Sequence, residues 1–168
     1  SAIGFDVEKQ EEFDGFALGF KKRGTWWIVE NLEKDSGLFD AEFENKLREI
    51  RLFCEKSGLP AWHPPKKEGF FRFLVVRKSY QTGKLLIKLV TSSDGLDKFD
   101  FDDFVVLLNQ LFSDRIEGII HTTNDDIGDN AQSRLGTETL LYGNSVITES
   151  LLGLSFEVSM QSFFQTNP

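Results

Sequence analysis

Between Phe70 and Thr91 the chain reads FFRFLVVRKS, then YQTG, then KLLIKLVT. Two runs rich in branched and aromatic residues, parted by a short glycine-containing stretch, predict an antiparallel hairpin. No other feature limits the possible folds as much. Alternation along the second strand puts Leu85, Ile87 and Leu89 on one face and Lys84 and Lys88 on the other. The apolar face needs a cover, which the helices supply, and the cations gather on the opposite face.

The remaining elements follow from the same patterns. FALGF (Phe16–Phe20) and WWIVENL (Trp26–Leu32) read as two short strands on either side of KKRGT. From Phe39 the apolar residues Phe39, Phe43, Leu47, Ile50 and Cys54 recur at helical spacing with charged residues between them. Gly58 and Pro60 end that helix. WHPPKKEG (Trp62–Gly69) reads as a linker loop, because consecutive prolines neither continue a helix nor join a ladder. A second helix is predicted from Asp100 to Phe112, with Asp100, Asp102 and Asp103 in its first turn where carboxylates suit the dipole. EGIIHTT (Glu117–Thr123) is a buried strand. After a polar loop come three short β segments, with a tight turn at Gly143–Asn144 between the first two. The fold class is therefore α+β: a mixed, largely antiparallel sheet backed by two helices.

At 168 residues, 40% apolar and 27% charged, the composition is that of an ordinary globular domain, and most of the 17 phenylalanines belong in its core. No apolar run reaches the roughly eighteen residues of a membrane span, and no signal peptide is visible. Cys54 is the only cysteine, so an internal disulfide and a thiolate metal cluster are both impossible from this chain alone. These features point to a cytoplasmic setting. A net charge of −8 argues against nucleic acid, but its distribution does not. Gly15–Val29 holds Lys21, Lys22 and Arg23, and Gly69–Ser93 holds Arg72, Arg77, Lys78, Lys84 and Lys88, with no acid in either stretch. Two cationic ribbons in an acidic body can form a footprint for a polyanion. Charge alone is somewhat better explained by solvated strand faces.

No self-contained active site emerges from the residues, so none is assigned as catalytic and none as a metal ligand. The glycines of YQTGK and LYGN fit no phosphate-binding pattern. The acids of NDDIGDNAQSRLGTE miss the alternate-ligand spacing of a calcium loop. His63 and His121 have no partner at zinc-ligand spacing, and His121 at a strand end reads as an ordinary hydrogen-bonding residue. Cys54, on the apolar stripe of its helix, reads as a small core residue. Trp26 and Trp27 beside KKRG could stack on bases, although alternation turns only one of them outward.

Four stretches in order carry a resemblance: FALGFKKRGTWWIVENLE, GFFRFLVVRKSYQTGKLLIKLVT, GIIHTTND and LLYGNSVITESLLGLSFEVSMQSFFQTNP. They are spread along the chain from Phe16 to Pro168, and they resemble the RNA uracil-5-methyltransferases that form 5-methyluridine in transfer and ribosomal RNA. The run SFFQTNP after GLSF is the most specific of them.

The resemblance implies that residues 1–160 are a central RNA-engaging domain and that 161–168 begin the connection to an S-adenosylmethionine-binding catalytic domain beyond the chain. S-adenosylmethionine is the implied cofactor of the full-length protein, and none is expected in this fragment, which alone should be inactive. Phe163 is implied as the aromatic surface against a flipped uridine, and Gln165 as a polar contact between base and methyl donor, in keeping with what an extruded base needs. Asn167 is a weaker candidate, expected only to brace the turn, and Phe164, alternating with its neighbours, is expected in the core. Lys21, Lys22, Arg23, Arg77 and Lys78, assisted by Arg72, are implied as contacts to RNA phosphates, with Lys84 and Lys88 less certain. Where many relatives place the fourth cysteine of an iron–sulfur cluster, this chain has Asp35, so no cluster is expected. The implied partner is structured RNA, a tRNA or 23S rRNA, and neither DNA nor a membrane. The alternative is a non-catalytic α+β module that binds RNA or an acidic protein.

Overall fold

The computed structural model describes residues 16–23, 26–31, 41–79, 81–127 and 136–160. The hairpin read from Phe70 to Thr91 forms as β3 (Phe71–Lys78) and β4 (Leu85–Thr91). Before it come β1 (Phe16–Arg23), β2 (Trp26–Asn31) and the helix α1 (Ala41–Lys56). After it come α2 (Phe101–Phe112), β5 (Ile116–Thr123), β6 (Glu138–Gly143), β7 (Val146–Leu151) and β8 (Leu154–Ser159). Six strands make one sheet in the order β2-β1-β3-β4-β5-β6, while β7 and β8 pair only with each other. Within the six-stranded sheet β4 and β5 run parallel, and the other pairings are antiparallel. The parallel pair is the one joined through a helix, because a parallel connection needs a crossover. The α+β architecture predicted from the sequence is the one observed.

Both helices cover the face predicted to need it. Leu74, Val76, Leu85, Ile87, Leu89 and Ile119 of the sheet meet Phe43, Leu47, Ile50 and Cys54 of α1 and Phe104, Leu108 and Phe112 of α2. Burial of such side chains is worth about 1.5–3 kcal/mol each before entropy is counted. Phe99, just ahead of α2, joins the rings: its centroid lies 5.2 Å from that of Phe71 and 5.7 Å from that of Phe104. The Asp100 carboxylate accepts from the Asp103 N–H at 2.9 Å and caps α2.

Three features depart from the sequence reading. The sheet face that carries Lys88 and Arg77 is not open, because the β7–β8 hairpin lies over part of it. Ile147, Val158 and Met160 form a second core there with Leu86, Ile120 and Val75. The turn at Gly143–Asn144 is not a hairpin turn but a transfer of the chain from the large sheet to the small one. Asn144 donates its N–H to the Glu117 carbonyl at 2.9 Å and its Nδ2 to the Glu117 carboxylate at 2.6 Å. That crossing depends on Gly118, since a Cβ there would occupy the position of the Asn144 carbonyl. Finally, the segment predicted as a linker loop is bridged to the sheet. Ala61 pairs with Phe71, and His63 pairs with Glu68. Gly69, at φ 132, lets the two backbones approach so closely that a Cβ would lie 2.6 Å from the Trp62 Cα.

Candidate functional site

The residues expected to contact RNA do not gather in one place. Lys21, Lys22 and Arg23 end β1, opposite Ile28, Trp27 and Trp26 of β2. Gly19 is paired with Phe73, so the KKR end of β1 runs on past the start of β3. Lys78 is at the other end of β3, paired with Leu85. At roughly 3.3 Å per residue, the two positions are about 20 Å or more apart along the sheet. Phe163, Gln165, Phe164 and Asn167 lie outside the described residues, as do the side chains of β1 and β2.

Arg72 and Arg77 require correction, because both are buried, with 1% and 3% of their surface exposed. Arg72 lays its guanidinium over the Trp62 ring at 4.0 Å and donates Nη1 to the carbonyls of Asn124 and Asp126, each at 2.7 Å. Arg77 donates Nη1 to the Ser159 carbonyl at 2.5 Å. A phosphate would have to displace these internal acceptors, so the two arginines brace the fold instead of facing solvent. Arg77 acts together with Ser79 and Gln81, whose side chains donate to the carbonyls of Thr148 and Ser150 and moor the β7–β8 hairpin.

Lys84 Nζ donates to the Asp114 carbonyl. Lys88 is 3% exposed, and burial lowers its pKa from the usual lysine value, an effect that Glu138 opposes and Arg77 reinforces. Cys54 is fully buried, and burial pushes its thiol well up, away from any nucleophilic form. His121 packs against Phe101 at a centroid distance of 4.5 Å. Its Nε2 is 2.9 Å from Thr91 Oγ1, which itself donates to the Ser92 carbonyl at 2.9 Å. Thr91 has one hydroxyl proton and uses it on Ser92, so His121 donates through a protonated Nε2. Burial brings the pKa of the ring down to about 4. A buried neutral imidazole with a structural bond matches the ordinary role expected for it.

The acidic stretch after β5 also acts internally. Asn124 and Asp126 supply the carbonyls that receive Arg72, and Asp125 Oδ1 accepts from the Ser93 N–H at 2.8 Å. No group of three or more His, Cys, Asp or Glu side chains among the described residues could hold a metal ion. No helix among them is long and apolar enough to cross a membrane.

Sequence reasoning missed one concave site. A cleft of about 780 Å³ opens between the Trp62–Gly69 loop and the turn at Ser92–Lys98. Its floor is apolar, with Leu59, Ala61 and Phe70, and its rim sets Lys66, Lys67 and Lys98 beside Glu68, Asp94 and Asp125. The two lysines of HPPKK were visible in the sequence, but Lys98 lies about thirty residues away and only the fold sets it opposite them.

No protein-family model matches the chain. Curated proteins do. A protein of Caldanaerobacter subterraneus subsp. tengcongensis named "uncharacterized RNA methyltransferase" is 36% identical over 152 residues, which are 90% of this chain and 33% of that protein. One of the same name from Clostridium tetani is 35% identical over 163 residues, 96% of this chain and 34% of that protein. The tRNA (uracil(54)-C(5))-methyltransferase of Pyrococcus horikoshii is 28% identical over 151 residues, 89% of this chain and 33% of the enzyme. The crystal structure of Pyrococcus abyssi tRNA (uracil-54, C5)-methyltransferase, in complex with S-adenosyl-L-homocysteine, superposes with a TM-score of 0.55 at 20% identity. That match covers 98% of this chain and 40% of the enzyme, and it concerns the fold.

The chain is thus a relative of RNA methyltransferases, as its four ordered stretches suggested. The tRNA (uracil-54,C5)-methyltransferases are among these relatives, and the chain spans about a third of the length of the curated proteins it matches.

Proposed function

We propose that this chain is the substrate-engaging domain of an S-adenosylmethionine-dependent RNA (uracil-5-)-methyltransferase that acts on a uridine in tRNA or 23S rRNA. The observation that carries the reading is the alignment of nine-tenths of the chain with about a third of each RNA methyltransferase. The sealed Cys54 supports it from the chemical side. Uracil-5 methylation uses a thiolate that adds to C6 and makes C5 nucleophilic, and a thiol buried and pushed up in pKa is no such group. In this reading residues 1–160 position the RNA, and 161–168 lead towards the domain that holds the reactive thiolate.

S-adenosylmethionine supplies the methyl group in that chemistry. The glycine turns described here do not fit it: Gly83 donates to the Ser79 carbonyl, and Gly143 is packed against the Glu117 carbonyl. The proposed contact to it is Gln165, and the proposed wall of the uridine pocket is Phe163, both outside the described residues.

Of the cations expected on RNA, Lys21, Lys22, Arg23 and Lys78 stay in the proposal. Such contacts position the RNA and do not read its sequence, so binding should be weak and steeply salt-dependent. Titration of the chain with a structured RNA at low and moderate salt tests this. Binding that falls with salt, and that weakens in a Lys21→Ala/Lys22→Ala/Arg23→Ala variant, is the expected result. Binding indifferent to the triple change would remove that strand end from the interface.

A further inference from the structure

We propose that the tip of the β7–β8 hairpin, with Leu152 at its apex, is an apolar anchor that docks into the remainder of the full-length protein. The inference rests on the reading of this chain as one domain of a longer methyltransferase. Leu151 pairs with Leu154, so Leu152 and Gly153 alone make the turn. They sit at φ 51 and φ 79, the positive pair of a type I′ turn. Asparagine, aspartate and glycine suit the first of these positions, whereas a leucine is crowded there by its own Cβ. The same leucine is 95% exposed. One residue therefore combines a strained backbone with an apolar side chain held in water, and its exposure leaves neither offset by packing. Strain that the local structure does not need marks a position used for contact.

The apolar surface continues behind the apex. Alternation puts Leu154, Phe156 and Val158 on one face of β8. Val158 is buried in the second core, Phe156 is partly exposed and Leu154 is exposed. The row thus begins against the large sheet and runs out beyond it. The hairpin is held stiff along this overhang. Arg77 fixes it at the Ser159 carbonyl, Ser79 at that of Thr148, and Gln81 at that of Ser150, next to the turn. A tip already fixed in place loses little freedom on docking.

Charge and size select the occupant. Between Thr137 and Met160 the charged residues are Glu138, Glu149 and Glu157, with no lysine or arginine. Such a surface repels phosphates, so RNA is not the partner. A stable dimer needs about 800 Å² from each partner, drawn from about 20–30 residues, and the tip offers only a handful. Within one polypeptide a contact of that size suffices, because the tether supplies a high effective concentration. The curated relatives are about three times as long as the stretch they share with this chain, which leaves a large body of protein for the tip to meet. The recess that receives it should be apolar, with any charge on its rim basic to suit the exposed Glu157.

Hydroxyl-radical footprinting of the 168-residue chain and of the full-length protein tests the anchor, read by mass spectrometry at Leu152, Leu154 and Phe156. At an effective concentration of about 1 mM, a contact of about 0.1 mM affinity is closed for roughly nine-tenths of the time. Oxidation at the tip should then be about tenfold slower in the full-length protein. Leu152→Asn should remove that protection at Leu154 and Phe156, yet raise the urea midpoint of the 168-residue chain, since asparagine tolerates the turn. A turn that served only the hairpin would not give these opposite effects. Equal oxidation in the two proteins, with methyl transfer to RNA by the longer one, would overturn the anchor and leave the functional reading standing. Full-length protein that transfers no methyl group to RNA would overturn that reading. Protection that appears in the 168-residue chain as its concentration rises would assign the tip to a second copy, against the proposal. Protection that needs added RNA would assign it to RNA, also against the proposal.

Discussion

Arg72 and His121 show how little the identity of a polar side chain says about its use. Arg72 sits in a run of strand cations, yet its guanidinium is spent on two carbonyls and an indole face. Arg72→Lys cannot reproduce the planar stack or both hydrogen bonds. It should lower the unfolding free energy by about 2–4 kcal/mol in urea titration, because buried carbonyls lose their donor. An unchanged midpoint would return Arg72 to the list of surface cations. At His121 the sign of the pH effect follows from a pKa near 4 against 6.5 for the free ring. As pH falls the unfolded chain takes up the proton first. The contribution of this ring to stability is whole above about pH 6.5, declines down to about pH 4, and is constant below that. Carboxylates add their own acid dependence, so the readout is comparative. The drop in urea midpoint from pH 7 to pH 4.5 should be smaller in His121→Gln than in the unaltered chain, and equal drops would contradict the assignment.

At the scale of elements, the decisive event is the crossing from β6 to β7. It sends three carboxy-terminal strands to two sheets and lays a hairpin over the cation-bearing face. The crossing has no room for a side chain at residue 118. Gly118→Ala should therefore cost about 3 kcal/mol or more through overpacking against the Asn144 carbonyl. Asp100→Ala, which removes only the cap of α2, should cost about 1 kcal/mol. Thermal unfolding of the two variants side by side should rank them in that order, and the reverse order would mean that the crossing yields more easily than the cap.

For the whole molecule, the distribution of charge matters more than its total. The whole chain carries a net −8, yet Lys21, Lys22 and Arg23 are gathered at one strand end and Lys78 ends another. A protein of this kind should bind RNA through these few cationic strand ends, with affinity that collapses as salt rises. Assayed alone with S-adenosylmethionine and substrate RNA, the 168 residues should transfer no methyl group, since their single thiol is locked in the core. Measurable turnover by this chain would refute the division of labour proposed above.

What the residues determined unaided were the elements and the helix-covered face. Alternation in KLLIKLVT, helical spacing from Phe43 to Cys54 and the aspartates before α2 are local patterns, set by the pitch of the backbone and legible without a fold. The family resemblance was legible for a similar reason, because it rests on the order of short stretches. Tertiary structure alone decided which cations meet solvent. Arg72 bonds to residues 52 and 54 positions away, and Arg77 to one 82 away, so their burial was written in no local pattern. The cleft belongs to the same class: Lys67 and Lys98 face a shared space only because the strands between them return the chain to one end of the sheet. Periodicity reports which way a side chain leaves its own element, and only packing decides what it meets there.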